Sequence, residues 1–401
     1  MNILVLTSVY KDISKGNRDG STPIVNTFAQ EWVKLGHKVI VIHNCHCYPN
    51  IVHNLPKSIK QNLASKLGFP IPDIDLVAEK NYDDNGVKVY RLPIKKYIPH
   101  TSPSERTLKK QAELIEKILI KDDFIPNAII GHWASPQMEI IAELKKRYNC
   151  KTAVVLHGTG YINSPKFHVE RYLPYIDRIG ARSLYQAKEV QRILNLKEQP
   201  FVCYSGVPDE YLASYNLNTE KFKNRKVWKF AYVGRLVEYK NIDAIIKALA
   251  SISDFEWELN IVGDGAMRAQ LEVLAKELKC SNRVHFLGKI PRDEVMKVLS
   301  DTNCFVMISN NEIFGLVYLE AMAASCITIA SRNGGIDGII KDKVNGYLCE
   351  QGNSAELVQI IEKVRNSNYD EISNLVSEGY RSAKACTDTT VAKEYLNNVL
   401  K

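Results

Sequence analysis

Short apolar runs alternate with longer segments of helical periodicity along almost the whole chain. NILVLTS, TPIVNTFAQEWVKLG and HKVIVIH read as strand, helix and strand, with Gly36 closing the helix. NAIIGHW, TAVVLHG and RIGARS continue the series, each followed by a helical candidate. Such alternation predicts parallel sheets covered by helices. The pattern pauses at the polar, basic NLNTEKFKNRKVWK and restarts at KFAYVGRL, so residues 208–228 read as a linker region. WELNIVGDG, RVHFLGKI, NCFVMIS and CITIAS form a second set of strands with helices between them. The expected fold is α/β, two doubly wound Rossmann-like domains over 1–207 and 208–384. The final helix candidate, within 385–401, can pack back on the first domain.

Size agrees with this division, since 401 residues exceed one comfortable core. No stretch approaches the roughly 18 uncharged apolar residues of a membrane-spanning helix. The opening MNILVLTSVYK reads as a first strand and not as a leader peptide, which makes the cytoplasm the expected location. Nine cysteines scattered singly suit a reducing compartment. HNCHCYPNIVH gathers His43, Cys45, His46, Cys47 and His53, and an extended backbone puts His43, Cys45 and Cys47 on one side. Zinc is one reading. The end of a strand running into a loop is preferred, because no C-x-x-C or later His/Cys pair completes a site. Residues 1–205 hold 29 basic against 19 acidic side chains, whereas the remainder holds 24 against 26. The basic half suits an anionic substrate, a membrane surface or nucleic acid, and charge alone does not choose among them.

Doubly wound sheets bind ligands beyond the carboxyl ends of their strands, so the polar residues there carry the chemistry. VGRLVEYKN ends a strand with Gly234, Arg235 and Lys240, two cations beside a close backbone approach, as a pyrophosphate requires. NNEIFGLVYLEAM places Glu312 in a polar turn and Glu320 eight residues on, about 12 Å away if helical rise applied throughout. A helix starting near Gly315 would offer free amides to an anion, with one carboxylate on either side for the hydroxyls of a ribose and a second sugar.

These residues resemble the family 4 glycosyltransferases, retaining enzymes of the two-domain GT-B fold, over nearly the full chain. VGRL with Lys240, VGDG at 262–265, FLG at 286–288, EIFGLVYLEAMA with its E-x7-E pair, and NGG…NGYL at 333–348 carry the resemblance, joined by HGTG at 157–160 and SGVPDEY at 205–211. The resemblance implies that Arg235 and Lys240 bind the donor diphosphate and stabilise the leaving group. It implies that Glu320 holds ribose hydroxyls and that Glu312 holds those of the transferred sugar, with the amides of Phe314, Gly315, Leu316 and Val317 completing the seat. His157 then reaches the donor sugar, while Gly234, Gly263 and the Gly288, Lys289, Ile290 stretch line the nucleotide. No cofactor or metal is implied. DID at 73–75 spells a metal-binding D-x-D but sits in a Pro-rich loop away from the donor motifs.

Two departures from the family pattern stand out. The loop after the first strand reads KGNRDGSTP, with Gly16 and Gly20 apart where the family pairs its glycines; Gly16, Gly20 and Ser21 are the candidates for an acceptor or phosphate loop. Asp337 replaces a common glutamate in GGIDGI and reads as a helix cap or a solvated position. The family is taken to act by front-face substitution, in which the departing phosphate accepts the acceptor's proton. A basic amphipathic stretch, PKSIKQNLASKLG, reads more readily as a short one-sided helix covering its own domain; the alternative is a helix resting on an anionic membrane, which goes with an acceptor that is a surface glycan or lipid-linked. UDP is the preferred donor nucleotide. Rival readings are a nucleotide-sugar epimerase of similar shape and a non-enzymatic binding protein; nucleic acid is not expected, because no ordered aromatic platform accompanies the basic residues.

Overall fold

The computed structural model describes residues 1–12, 23–56, 58–60, 62, 63, 77–95, 101–164, 166–223 and 226–401. The chain divides into two compact units. Unit 1 holds Met1–Arg182, Gln186–Cys203 and Ala392–Lys401, and unit 2 holds Ser183–Tyr185 and Tyr204–Val391.

Unit 1 is built on eight strands: β1 (Asn2–Thr7), β2 (Lys38–Cys47), β3 (Lys80–Asp84), β4 (Val87–Lys95), β5 (Ala128–His132), β6 (Lys151–Leu156), β7 (Arg178–Ala181) and β8 (Phe201–Val202). They lie in the order β3-β4-β2-β1-β5-β6-β7-β8, all parallel except β3 against β4. The inner strands are continuous apolar runs because helices cover both faces of a parallel sheet; Ile3, Leu4, Val5 and Leu6 of β1 are fully buried. β3 and β4 form a hairpin through Asn85 and Gly86, both at positive φ, as a two-residue type I′ turn demands. β2 runs further than its apolar pattern indicates. It stays paired with β4 as far as Cys47 opposite Lys95, so His43–Cys47 are strand, and the chain leaves it only at Tyr48 and Pro49 before a short helix at Asn50–His53. After β6 the described residues form short 3₁₀ turns at Val169–Arg171 and Leu173–Tyr175 in place of the expected helix, where Pro174 has no N–H to donate.

Unit 2 has six parallel strands: β9 (Trp228–Val233), β10 (Trp257–Val262), β11 (Val284–Gly288), β12 (Cys304–Met307), β13 (Ile327–Ser331) and β14 (Tyr347–Cys349). Their order is β11-β10-β9-β12-β13-β14, the 3-2-1-4-5-6 arrangement of a dinucleotide-binding sheet. The stretch read as a linker belongs to this unit. It carries the helix Asp209–Ser214, and Phe222 and Trp228 sink into the unit 2 core. Asp337 caps no helix: it lies among turns, its carbonyl accepting from the Leu184 amide at 3.4 Å and the Tyr204 hydroxyl at 3.2 Å. No helix among the described residues is long and apolar enough to cross a membrane.

Candidate active site

Strand order reverses in unit 2 between β9 and β12, and a doubly wound sheet opens its ligand crevice at such a point. The chain leaves β9 through Gly234 and Arg235, turns at Glu238–Lys240, and reaches Asn241 in the left-handed conformation. Asn tolerates that conformation through local side-chain bonding. Its Nδ2 donates to the Ile308 carbonyl (2.8 Å) and to Asn310 Oδ1 (3.0 Å), and the Asn310 amide donates back to the Tyr239 carbonyl (2.7 Å). These bonds fasten the loop after β9 to the loop after β12. Lys240 is thereby buried with its Nζ on Glu312 Oε2, and Met307 Sδ lies 4.0 Å away. Burial makes each charge depend on the other, since removing one partner leaves the second uncompensated.

The Glu312 charge is felt nearby: burial first, and then this carboxylate, raise the hydroxyl pKa of Tyr232 and of Tyr318 far above the usual value. Tyr318 donates to the Met307 carbonyl at 2.7 Å, and Tyr232 donates to the Arg235 carbonyl at 3.0 Å. Arg235 is exposed and donates to the Tyr239 hydroxyl at 2.9 Å.

Close backbone approach assembles the rest. Gly263 has φ of 128°, and a Cβ there would lie 1.8 Å from the Gly234 carbonyl oxygen, so no other residue fits. Its amide donates to the Gly288 carbonyl at 2.8 Å, and the Gly234 amide donates to Val262 at 2.9 Å, which aligns the ends of β9, β10 and β11. Lys289 is exposed there and Ile290 half-buried. Gly315, at φ 78°, caps the helix Leu316–Ala323, and a Cβ would meet the Tyr318 ring at 2.5 Å. Nothing among the described residues accepts from the amides of Gly315, Leu316 or Val317. Three donors at the positive end of a helix suit an anionic oxygen. Phe314 is buried in the unit 2 core.

Glu320 is the fifth residue of that helix, little more than one turn inside it and not two. Glu312 stands outside the helix, so helical rise does not measure the separation of the two carboxylates. Glu320 is buried, and its Oε1 accepts from Arg292 Nε (2.9 Å) and Nη2 (2.5 Å). The Arg292 guanidinium also covers the Tyr211 ring at 5.3 Å. Sequence reasoning missed Arg292. Its signal was a cation at the first position of a helix, where the dipole disfavours positive charge and a partner elsewhere is needed.

In unit 1, His157 follows β6 and stacks on Trp133, ring centroids 4.0 Å apart and planes 15° from parallel. Its Nε2 lies 3.0 Å from Nδ1 of fully buried His132, whose Nε2 lies 3.3 Å from the Tyr395 hydroxyl. Burial first, then the Arg182 charge, lower the pKa of His132 to about 3 and that of His157 well below the usual value, so both rings are neutral at pH 7. Gly16, Gly20 and Ser21 lie outside the described residues, as do residues 73–75 and much of 56–68. The His/Cys run separates into a His43–Cys45 pair (3.4 Å) and a Cys47–His53 pair (3.7 Å), and no group of three metal-binding side chains occurs among the described residues.

The sequence model of the family described as glycosyl transferases group 1 matches residues 216–381. An uncharacterized glycosyltransferase of Methanocaldococcus jannaschii is 36% identical over 299 residues, 70% of this chain and 74% of that protein. A putative teichuronic acid biosynthesis glycosyltransferase of Bacillus subtilis is 24% identical over 350 residues, 84% and 83% of the two chains. The solved Anabaena HepE structure in complex with UDP superposes with a TM-score of 0.65 at 17% identity, covering both chains completely, a likeness of fold. That fold is GT-B, and the chain belongs to the glycosyl transferases group 1 family.

Proposed function

We propose that this glycosyltransferase transfers a sugar from a UDP-sugar, with retention of anomeric configuration, to a surface-glycan or lipid-linked acceptor on the cytoplasmic side of the membrane. The observation that carries this reading is the pairing of Lys240 with Glu312 at the point where the unit 2 strand order reverses. A cation and a carboxylate held together in a buried site are matched to a substrate that carries both a diphosphate and a hydroxyl-rich ring. Binding exchanges partners: Lys240 and Arg235 turn to phosphate oxygens, and Glu312 accepts from sugar hydroxyls. The free amides of Gly315, Leu316 and Val317 add donors to the same anion. Glu320, already oriented by Arg292, takes the ribose hydroxyls.

As the glycosidic bond breaks, its electron pair passes to the β-phosphate oxygen, where Arg235 and Lys240 stabilise the growing charge. The acceptor hydroxyl bonds to the anomeric carbon from the same face and gives its proton to that phosphate oxygen. No protein carboxylate need act as nucleophile, and these cations and amides serve where a metal otherwise would. His157, neutral, serves the donor sugar as a hydrogen-bonding group. The excess of basic side chains in residues 1–205 supports an anionic or membrane-borne acceptor, as does the likeness to a protein named for teichuronic acid biosynthesis.

The test is a panel of UDP-, GDP- and ADP-sugars incubated without acceptor, read by nucleotide release and by anomer-resolved NMR. Slow hydrolysis of the UDP-sugar, giving the anomer of the donor, is expected. Interconversion of the sugar with its nucleotide attached would establish an epimerase instead.

A further inference from the structure

We infer that Tyr395, on the last helix of the chain, is a positioning residue for His157: through His132 it selects the tautomer in which His157 presents its Nδ1–H as a donor. The inference rests on the assignment of His157 to the donor sugar made above. Its geometry stands within unit 1 alone.

Three groups form a line, with Tyr395 and His132 buried and His157 half-buried at its end. The Tyr395 hydroxyl lies 3.3 Å from His132 Nε2, and His132 Nδ1 lies 3.0 Å from His157 Nε2. Each neutral imidazole carries one proton, so each contact has a direction, and the direction of one dictates the next. Tyr395 is almost fully buried, packed against Phe28, Trp32 and Phe201, and His132 is its one hydrogen-bonding partner among the described residues. A buried hydroxyl proton requires an acceptor, and His132 Nε2 is the acceptor within reach. His132 therefore carries its proton on Nδ1 and donates to His157 Nε2. His157 is left with its proton on Nδ1, for which no described residue is an acceptor. The opposite direction strands the tyrosine proton and turns His157 Nδ1 into a bare lone pair.

The ring itself is held by Trp133. That residue has φ of 67°, a conformation a bulky side chain adopts only under constraint, and it lies flat against His157. Trp133 thus sets the plane of the ring and Tyr395 sets its proton. A fixed Nδ1–H suits a neutral oxygen acceptor such as a sugar hydroxyl. The histidines are neutral in this setting because burial and the Arg182 guanidinium both oppose a second proton.

The experiment uses the full chain labelled with ¹⁵N-histidine, with long-range ¹H–¹⁵N spectra at pH 7 for the wild type and Tyr395→Phe, and His157→Ala for assignment. Wild-type His157 is expected as the Nδ1–H form. Tyr395→Phe is expected to give a mixture of tautomers at His132 and His157 and to lower kcat with a UDP-sugar roughly tenfold, the loss of about one neutral hydrogen bond, with donor KM nearly unchanged. A wild-type His157 protonated on Nε2 overturns the inference without any variant, and so does an unchanged tautomer in Tyr395→Phe. If the tautomers respond as expected while Tyr395→Phe and His157→Ala both keep full turnover, the positioning role falls together with the donor assignment of His157. Absence of turnover by the wild type on every nucleotide sugar would instead strike the proposed function, with the spectra still deciding the wiring.

Discussion

Both units gather polar side chains beyond the carboxyl ends of parallel strands, yet they arm those ends differently. Unit 2 presents ion pairs, Lys240 with Glu312 and Arg292 with Glu320. Unit 1 presents a chain of neutral groups, buried Tyr395 and His132 and half-buried His157, the last stacked on a tryptophan. Each kind suits a different part of the proposed donor. Its diphosphate and the charge that develops on bond cleavage require cations and carboxylates that can change partners, whereas sugar hydroxyls are served by donors of fixed direction that carry no charge to repel or attract the leaving group.

Removing charge from unit 2 should have the largest effect. Arg235→Ala is expected to lower donor turnover about 10²–10³-fold, as loss of an electrostatic contact to the leaving group does; steady-state kinetics on the UDP-sugar measures it. Unchanged turnover would take Arg235 out of the site. The ribose contact comes next. Glu320→Ala should raise donor KM roughly tenfold, and a 2′-deoxyribose donor should lose most of that difference between variant and wild type. Equal discrimination by both proteins would assign Glu320 to another task.

The pH effect expected of unit 1 appears in stability. A histidine whose pKa is depressed by folding takes up a proton on unfolding, so between the folded and unfolded values the unfolded state binds more protons and stability rises with pH. His132 falls from 6.5 to about 3. Stability should therefore be fully present above about pH 6.5 and decline as pH falls, by about 2 kcal/mol between pH 6.5 and 5 from this residue, with His157 acting in the same sense. Denaturant unfolding at pH 7 and pH 5 measures this. Equal midpoints would mean that these rings are charged in the folded protein.

The sequence disclosed these regions unevenly. Parallel strands were legible because burial on both faces writes an unbroken apolar run, as in Ile3–Leu6 of β1 and Phe230–Val233 of β9. The edge strand β3, Lys80–Asp84, is polar and half-exposed and gives no such run, though the Asn85–Gly86 turn beside it was a hairpin signal in plain view. Arg235, Lys240, Glu312 and Glu320 could be picked out from their motifs. Their pairings could not, because Lys240 meets Glu312 across 72 positions only when β9 and β12 lie side by side. Tyr395 is 263 positions from His132 and looks in the sequence like any core residue of an amphipathic helix.

The central claim is that Lys240 and Glu312 form one donor site by exchanging a mutual bond for bonds to the substrate. A double-mutant cycle on donor turnover tests it, using Lys240→Ala, Glu312→Ala and the combined variant. The account predicts that each single variant loses about a hundredfold or more and that the pair loses far less than the product, because either removal leaves a buried charge uncompensated that the other removes. Strictly multiplicative losses, or a Lys240→Ala enzyme that turns over the UDP-sugar normally, would contradict it.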